Sequence, residues 1–133
     1  MKKVLFLFTL LILFSISAIA QKSPSAYSFV KSYIGARELF KTALYYNGNE
    51  KLIIFMQKAS VRAEDALSIL DSLPKTILVK ITAEEKEKLK TGLQTIVQKS
   101  TAIYFDDEQM LRLTLWISAL DAVLEKTLPK LFR

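Results

Sequence analysis

Apolar residues recur along most of this chain at alternating spacings of three and four, and the recurrence divides the chain into four segments. This spacing gathers apolar side chains on one face of an α-helix, where they can pack against a core. It predicts helices over about 24–46, 50–73, 83–104 and 107–128. Sequence patterns typical of a strand pair are missing, so the expected fold class is all-α.

Turn and capping signals separate these segments. Residues 47–49, Asn-Gly-Asn, combine a glycine that can adopt the left-handed conformation with an asparagine that can cap the next helix. Ser23 is a plausible first cap, with a proline after it at the first helical position. Thr82 with Glu85, and Asp106 with Gln109, have the spacing of capping boxes.

Two connections are less clear in the pattern. Pro74 ends the second helix, and the following KTILVKI alternates β-branched residues without a second strand to pair with, so we expect an extended connection over apolar surface. No glycine or proline separates the third and fourth helices. The apolar phase slips between them, and with the cap at Asp106 this favours a break rather than one long helix.

Four helices of about 21–24 residues, or about 32–36 Å each, joined by short connections predict a single antiparallel four-helix bundle. The last helix is the most apolar after the N-terminus and holds the only tryptophan, so we expect the rest of the chain to be organised around it.

The last helix also has apolar residues on two opposite sides. Leu111, Leu115 and Ala122 fall about half a turn from the stripe that is expected to face the core. A helix that is apolar on most sides is normally buried on most sides. These three residues are therefore the candidate interaction surface, to be covered by the chain itself or by a second molecule.

Arg37 is the candidate buried charge, because it lies at the edge of the apolar stripe of the first helix. In one interpretation its stem lies on the core while the guanidinium reaches water. In the other, it forms a buried pair with a carboxylate such as Glu64, Asp71 or Asp121, or it binds an anionic ligand.

The first twenty residues have two lysines, a long apolar run and an Ala-x-Ala ending, which are the three parts of a secretory signal peptide. We expect cleavage before Gln21, and export to the periplasm or the medium. An uncleaved membrane anchor is the alternative, and it would be the only membrane attachment expected. Domain organisation is then a signal peptide at 1–20 and one helical domain at 21–133.

Net charge and cysteine content limit the classes of partner and of stabilising bond that we expect. The 113 residues that remain after cleavage have 17 basic and 13 acidic side chains, a net charge of about +4. Nucleic acid is not an expected partner for an exported chain of this modest charge. Without cysteine, the domain depends on packing alone and has no disulfide.

Composition also excludes several chemistries. The chain has no histidine and no cysteine, so it lacks the commonest general base, the thiolate nucleophile and the usual zinc and haem ligands. The acidic clusters at 84–87 and 106–108 open helices, where capping and the helix dipole account for them. We expect no catalytic residue, no cofactor and no metal.

The leading hypothesis is an exported, non-enzymatic interaction module that acts through the apolar face of the last helix, on a protein partner or in a homo-oligomer. Two alternatives stay open. The first is a carrier of a small apolar ligand in the bundle core, among the small residues Gly35, Ala59, Ala63 and Gly92. The second is a weak carboxylate-based enzyme.

Overall fold

The computed structural model describes residues 25–133, and within this range every regular element is helical. The all-α prediction is confirmed. The predicted signal peptide at 1–20 and the predicted cap at Ser23 lie outside the described residues. The α-helices are α1 (Ala26–Tyr45), α2 (Lys51–Ser72), α3 (Lys75–Leu78), α4 (Ala83–Gln98) and α5 (Asp107–Thr127), with 3₁₀ turns at Lys99–Thr101 and Leu128–Phe132.

Local side chains fix the helix starts. The Ser25 hydroxyl accepts the N–H of Ser28 at 3.1 Å and caps α1. Reciprocal capping boxes open α4 at Thr82 and α5 at Asp106, as the sequence pattern predicts. Gly48, in the turn between α1 and α2, has a φ of +86°, which a residue with a Cβ rarely adopts.

Helix α1 packs along α2 in the opposite direction. The ring of Tyr46, at the turn, stacks on Phe55 with 5.4 Å between centroids, and Gly35 near the middle of α1 faces Arg62. Residues later in α1 therefore contact residues earlier in α2, so the two helices are antiparallel.

Helix α5 is antiparallel to both α1 and α4. Against α1, the rings of Phe40 and Trp116 meet edge to face at 5.6 Å. Against α4, Leu120 lies over Gly92, and Lys130 beyond α5 reaches Glu85 near the start of α4.

The most deeply buried part of the core lies among α1, α2 and α4. Its completely buried side chains include Phe29 and Tyr33 from α1, Leu52 from α2, and Leu89 and Leu93 from α4. The core-facing leucines and isoleucine of α5, in contrast, keep 5–8% of their surface exposed. The expectation that the chain is organised around the last helix is therefore wrong.

Small residues mark the centre of the packing. Ala59, Ala63 and Ala66 form the buried stripe in the middle of α2, and each has no exposed surface. Small side chains let neighbouring helices approach closely. Helix α5 packs on α1 and α4, at the outside of this arrangement.

Helix α4 ends at Gln98, before the predicted end at 104. Phe105 is buried, and the Asn47 side chain holds its backbone through two hydrogen bonds, one donated to the Phe105 carbonyl at 2.7 Å and one accepted from its N–H at 2.9 Å. The chain is extended at Ala102, before this anchor, and Ile103 is 73% exposed.

The connection after α2 also differs from its prediction. Residues 75–78 form the single helical turn α3 instead of an extended segment. The Pro74 carbonyl accepts the N–H groups of Ile77 and Leu78 at 2.9 and 3.0 Å, which closes the turn and satisfies backbone groups that an extended segment would leave without partners.

Candidate functional site

The outer face of α5, defined by Leu111, Leu115 and Ala122, is uncovered by any described part of the chain. Leu111 and Leu115 expose 61% and 62% of their surface, and Ala122 is also exposed. Residues four apart on a helix lie side by side, so the two leucines form one apolar patch. Ser118, exposed on the same face, lies between the leucines and Ala122.

The other side of α5 accounts for this exposure. Leu113, Ile117, Leu120 and Leu124 form the buried stripe and place α5 on α1 and α4 by one side only. Because α5 sits at the edge of the packing, its second apolar stripe remains in solvent. Exposed large apolar patches are typical of interaction sites, whereas a single exposed leucine is ordinary.

Charged side chains border the outer face at both ends. Near its start, Glu108 pairs with Arg112 one turn later, at 2.5 Å. Lys126 lies in the last turn of α5. The border is therefore polar at each end, as at the rim of a protein interface.

Arg37 forms a half-buried ion pair with Asp121 across the contact between α1 and α5. Its Nη2 donates to Asp121 Oδ2 at 2.6 Å, its Nε donates to Oδ1, and its Nη1 donates to Glu38. The Arg37 side chain is 20% exposed. It is therefore neither fully buried, as one interpretation of the sequence required, nor free in water, as the other did. Asp121 is its partner; Glu64 and Asp71 are not.

This pair shifts both groups towards their charged forms. The hydrogen bonds from Arg37, and secondarily its charge and that of Lys41, lower the pKa of Asp121. The hydrogen bond to Asp121 raises the pKa of Arg37. The two carboxylates together accept three of the five N–H donors of the Arg37 guanidinium.

Two grooves follow the seam between α1 and α5, one on each side of the Arg37–Asp121 pair. The larger one, about 630 Å³, lies towards the start of α1 and the end of the chain. Its apolar lining comprises Val30, Ile34, Leu124, Leu128, Pro129 and Phe132. The smaller one, about 330 Å³, lies towards Tyr45 and also borders Ser118. The ion pair thus joins α1 to α5 between the two grooves.

Three of the four small residues expected to surround a core cavity, Ala59, Ala63 and Gly92, are packed against neighbouring side chains, and Gly35 lies beside the Arg62 side chain. Ala59 and Ala63 are completely buried. In front of Gly92 lie the Tyr33 hydroxyl and a methyl group of Leu120, and the hydroxyl donates to the Leu89 carbonyl at 3.1 Å. Burial raises the pKa of Tyr33.

The acidic clusters have structural partners. Glu85 pairs with Lys130 at 2.7 Å and accepts the Thr82 N–H at 3.0 Å, and these contacts lower its pKa to about 2. Glu84 pairs with Lys88 at 3.3 Å. A carboxyl held in its ionised form is poorly suited to act as a general acid near neutral pH. Between residues 25 and 133, no three acidic side chains gather in the manner of a metal site.

Comparison of the chain with protein-family models, with curated proteins and with solved structures found no match. Among the helices described here, none combines the length and apolar character needed to cross a membrane. Function is therefore inferred from the residues and their geometry.

Sequence reasoning missed two parts of this surface. Ser118 falls on the same helical face as Leu111, seven residues on, so the helical period could have identified it. The α1–α5 grooves could not be found in this way, because they depend on how far apart the two helices lie. That distance is set by packing between residues distant in sequence.

Proposed function

We propose that this protein is an exported, non-enzymatic helical interaction module that binds through the outer face of α5. The observation that carries the proposal is the pair Leu111 and Leu115, adjacent on one helix and each more than half exposed. The same helix buries four other leucine and isoleucine side chains, so its second apolar stripe is not needed for folding.

The helix directions support a four-helix bundle as the scaffold. Antiparallel contacts join α1 to α2, α1 to α5, and α4 to α5, as described above. In a bundle of this kind, the outer face of α5 is free for a partner.

Export is part of the proposal and rests on the pattern of the first twenty residues. A chain without cysteine has no thiol that an oxidising compartment could modify, so its composition is compatible with export.

A capture experiment tests the proposal. A tagged copy of residues 21–133 would be mixed with envelope and culture fractions of the producing cells and with the untagged chain. We expect a retained protein that is lost with Leu115→Glu, since a charge at the centre of an apolar contact carries a desolvation cost.

Val61→Glu is the matched control, because Val61 is 58% exposed on α2, away from the outer face of α5. It should retain the same protein as the unsubstituted chain. Equal retention by all three forms would contradict the proposal.

A second candidate function is carriage of an apolar ligand, now in the larger α1–α5 groove rather than in the core. The groove volume of about 630 Å³ and its mostly apolar lining are typical of ligand sites. A fluorescent fatty-acid probe tests this candidate. Binding should be lost with Ile34→Glu, which alters the groove, and kept with Ile54→Glu, which alters an exposed position on α2.

A further inference from the structure

We infer that the partner of the outer face of α5 is the same face of a second copy of this chain, with the two α5 helices antiparallel. This inference rests on the proposed function and names its partner. The occupant is identified from the order of large and small residues along the helix.

Side-chain size changes along the outer face in a way that suits antiparallel pairing. The first half presents Leu111 and Leu115, whereas the second half presents Ser118 and Ala122. If a two-fold axis passes near Ser118, the middle of α5, Leu115 of each copy lies opposite Ala122 of the other. Large side chains then meet small ones, which is how helix surfaces interlock. Parallel pairing would instead set leucine against leucine and alanine against alanine.

Charge is balanced around this pairing. On one flank of the outer face, antiparallel pairing about Ser118 brings Glu108 of one copy within about a turn of Lys126 of the other, and on the opposite flank it brings Asp107 to a similar distance from Glu125. Charge therefore does not select the direction of pairing. The helix dipoles favour the antiparallel arrangement, which opposes them, over the parallel one, which aligns them.

The size of the face indicates a weak dimer. Helix α5 has 21 residues and is about 32 Å long. A strip about 10 Å wide over this length gives roughly 300 Å² per copy, below the roughly 800 Å² per partner of standard stable interfaces. The groove beside Tyr45 borders Ser118 and adds contact area. We therefore expect a dimer that dissociates on dilution.

The absence of cysteine allows a direct test by single-cysteine cross-linking. A disulfide requires Cα atoms about 4.4–6.8 Å apart. On mild oxidation, Ser118→Cys should form a covalent dimer, since this residue lies beside the axis. Leu111→Cys should not link to itself, because its two copies would be about 20 Å apart along the helices.

A mixture of Leu115→Cys with Ala122→Cys supplies a second readout, which should give the mixed dimer in preference to either self-linked form. Glu64→Cys, exposed on α2, measures random collision. The inference is overturned if neither the Ser118→Cys dimer nor the mixed dimer exceeds this control. It is also overturned if Leu111→Cys links to itself as readily as Ser118→Cys.

Sedimentation equilibrium separates failure of this inference from failure of the proposed function. The unsubstituted chain should self-associate as its concentration rises, and Leu115→Glu should remain a monomer. A chain that is monomeric at every concentration, yet retains a different protein in the Leu115-dependent capture experiment, refutes the self-pairing and leaves the proposed function standing. A monomer that retains nothing refutes both.

Discussion

Individual side chains determine how closely the helices approach one another. The two glycines at 35 and 92 both lie inside helices, yet their surroundings differ. Gly35 has only the flexible Arg62 side chain nearby, at 3.9 Å, whereas a Cβ at Gly92 would overlap the buried Tyr33 hydroxyl and lie 2.8 Å from Leu120. From the sequence alone, both glycines were interpreted as small residues beside a core cavity. Only the structure distinguishes them.

The first prediction concerns this pair of glycines. Gly35→Ala should raise the free energy of unfolding by up to about 1 kcal/mol, because alanine favours the helix and no contact opposes it. Gly92→Ala should lower it by about 1–3 kcal/mol, because the added methyl group forces Tyr33 or Leu120 to move. Urea unfolding of both variants checks the signs. Stabilisation by Gly92→Ala would contradict the packing described here.

The second prediction concerns acid pH. Glu85 has a pKa lowered to about 2 from an ordinary 4.5, so the folded state binds a proton at this site less readily than the unfolded state does. Its stabilising contribution is present above about pH 4.5 and is lost as the pH falls towards 2. Asp121, whose pKa is also lowered, acts in the same direction.

Glu85→Gln should therefore flatten the fall in unfolding free energy between pH 5 and pH 2, as measured by urea unfolding at several pH values. Glu87→Gln, a neighbouring substitution on the same helix, is the control. Its unfolding free energy should fall with pH as steeply as that of the unsubstituted chain. An unchanged slope for Glu85→Gln would show that the Thr82 and Lys130 contacts do not hold this carboxylate in solution.

At the scale of single elements, α5 combines two apolar stripes with different roles. The stripe through Leu113 supports the fold, and the stripe through Leu115 remains exposed. The helical period identified both stripes from the sequence, because it is a local property of consecutive residues. Which stripe the chain buries depends on the neighbouring helices, and the sequence left that choice open.

The third prediction separates these roles with two leucines on one helix. Leu113→Ala should lower the free energy of unfolding by about 2–5 kcal/mol, since it opens a cavity under a side chain that is only 6% exposed. Leu115→Ala should change it by no more than about 0.5 kcal/mol. These values apply to dilute, monomeric protein. A large loss for Leu115→Ala under those conditions would mean that the chain itself uses the outer face.

Other elements show where sequence reasoning reaches its limit. The capping boxes at Thr82 and Asp106 were predicted because their hydrogen bonds join residues three apart. The early end of α4 was missed because its cause, the Asn47 side chain on Phe105, acts across 58 residues. The helical turn α3 was missed because β-branched residues favour strands, and the Pro74 carbonyl outweighs that preference here.

At the scale of the whole molecule, the all-α fold followed from periodicity alone, whereas the arrangement of the helices did not. The sequence suggested the most apolar helix as the centre. The structure instead centres on α2, whose alanines permit close approach. Apolar content indicates how much surface a helix can bury, but it does not determine which helix lies in the middle. The uncovered face of α5 is a consequence of that order.

The fourth prediction concerns the form of the protein in the cell. If the first twenty residues are a signal peptide, intact-mass analysis of the protein from its producing cells should give a chain that begins at Gln21, with about 113 residues. The periplasm or the medium should contain it. A full-length mass in a membrane fraction would replace this prediction with the uncleaved anchor.

Photo-cross-linking in the producing cells would show whether the outer face of α5 binds a partner. A photoreactive amino acid would replace Leu115 in one variant and Val61, exposed on α2, in another. We expect a discrete adduct from position 115, with twice the mass of the mature chain if the partner is a second copy, and no such adduct from position 61. Absence of any adduct from position 115, or the same adduct from both positions, would contradict this expectation.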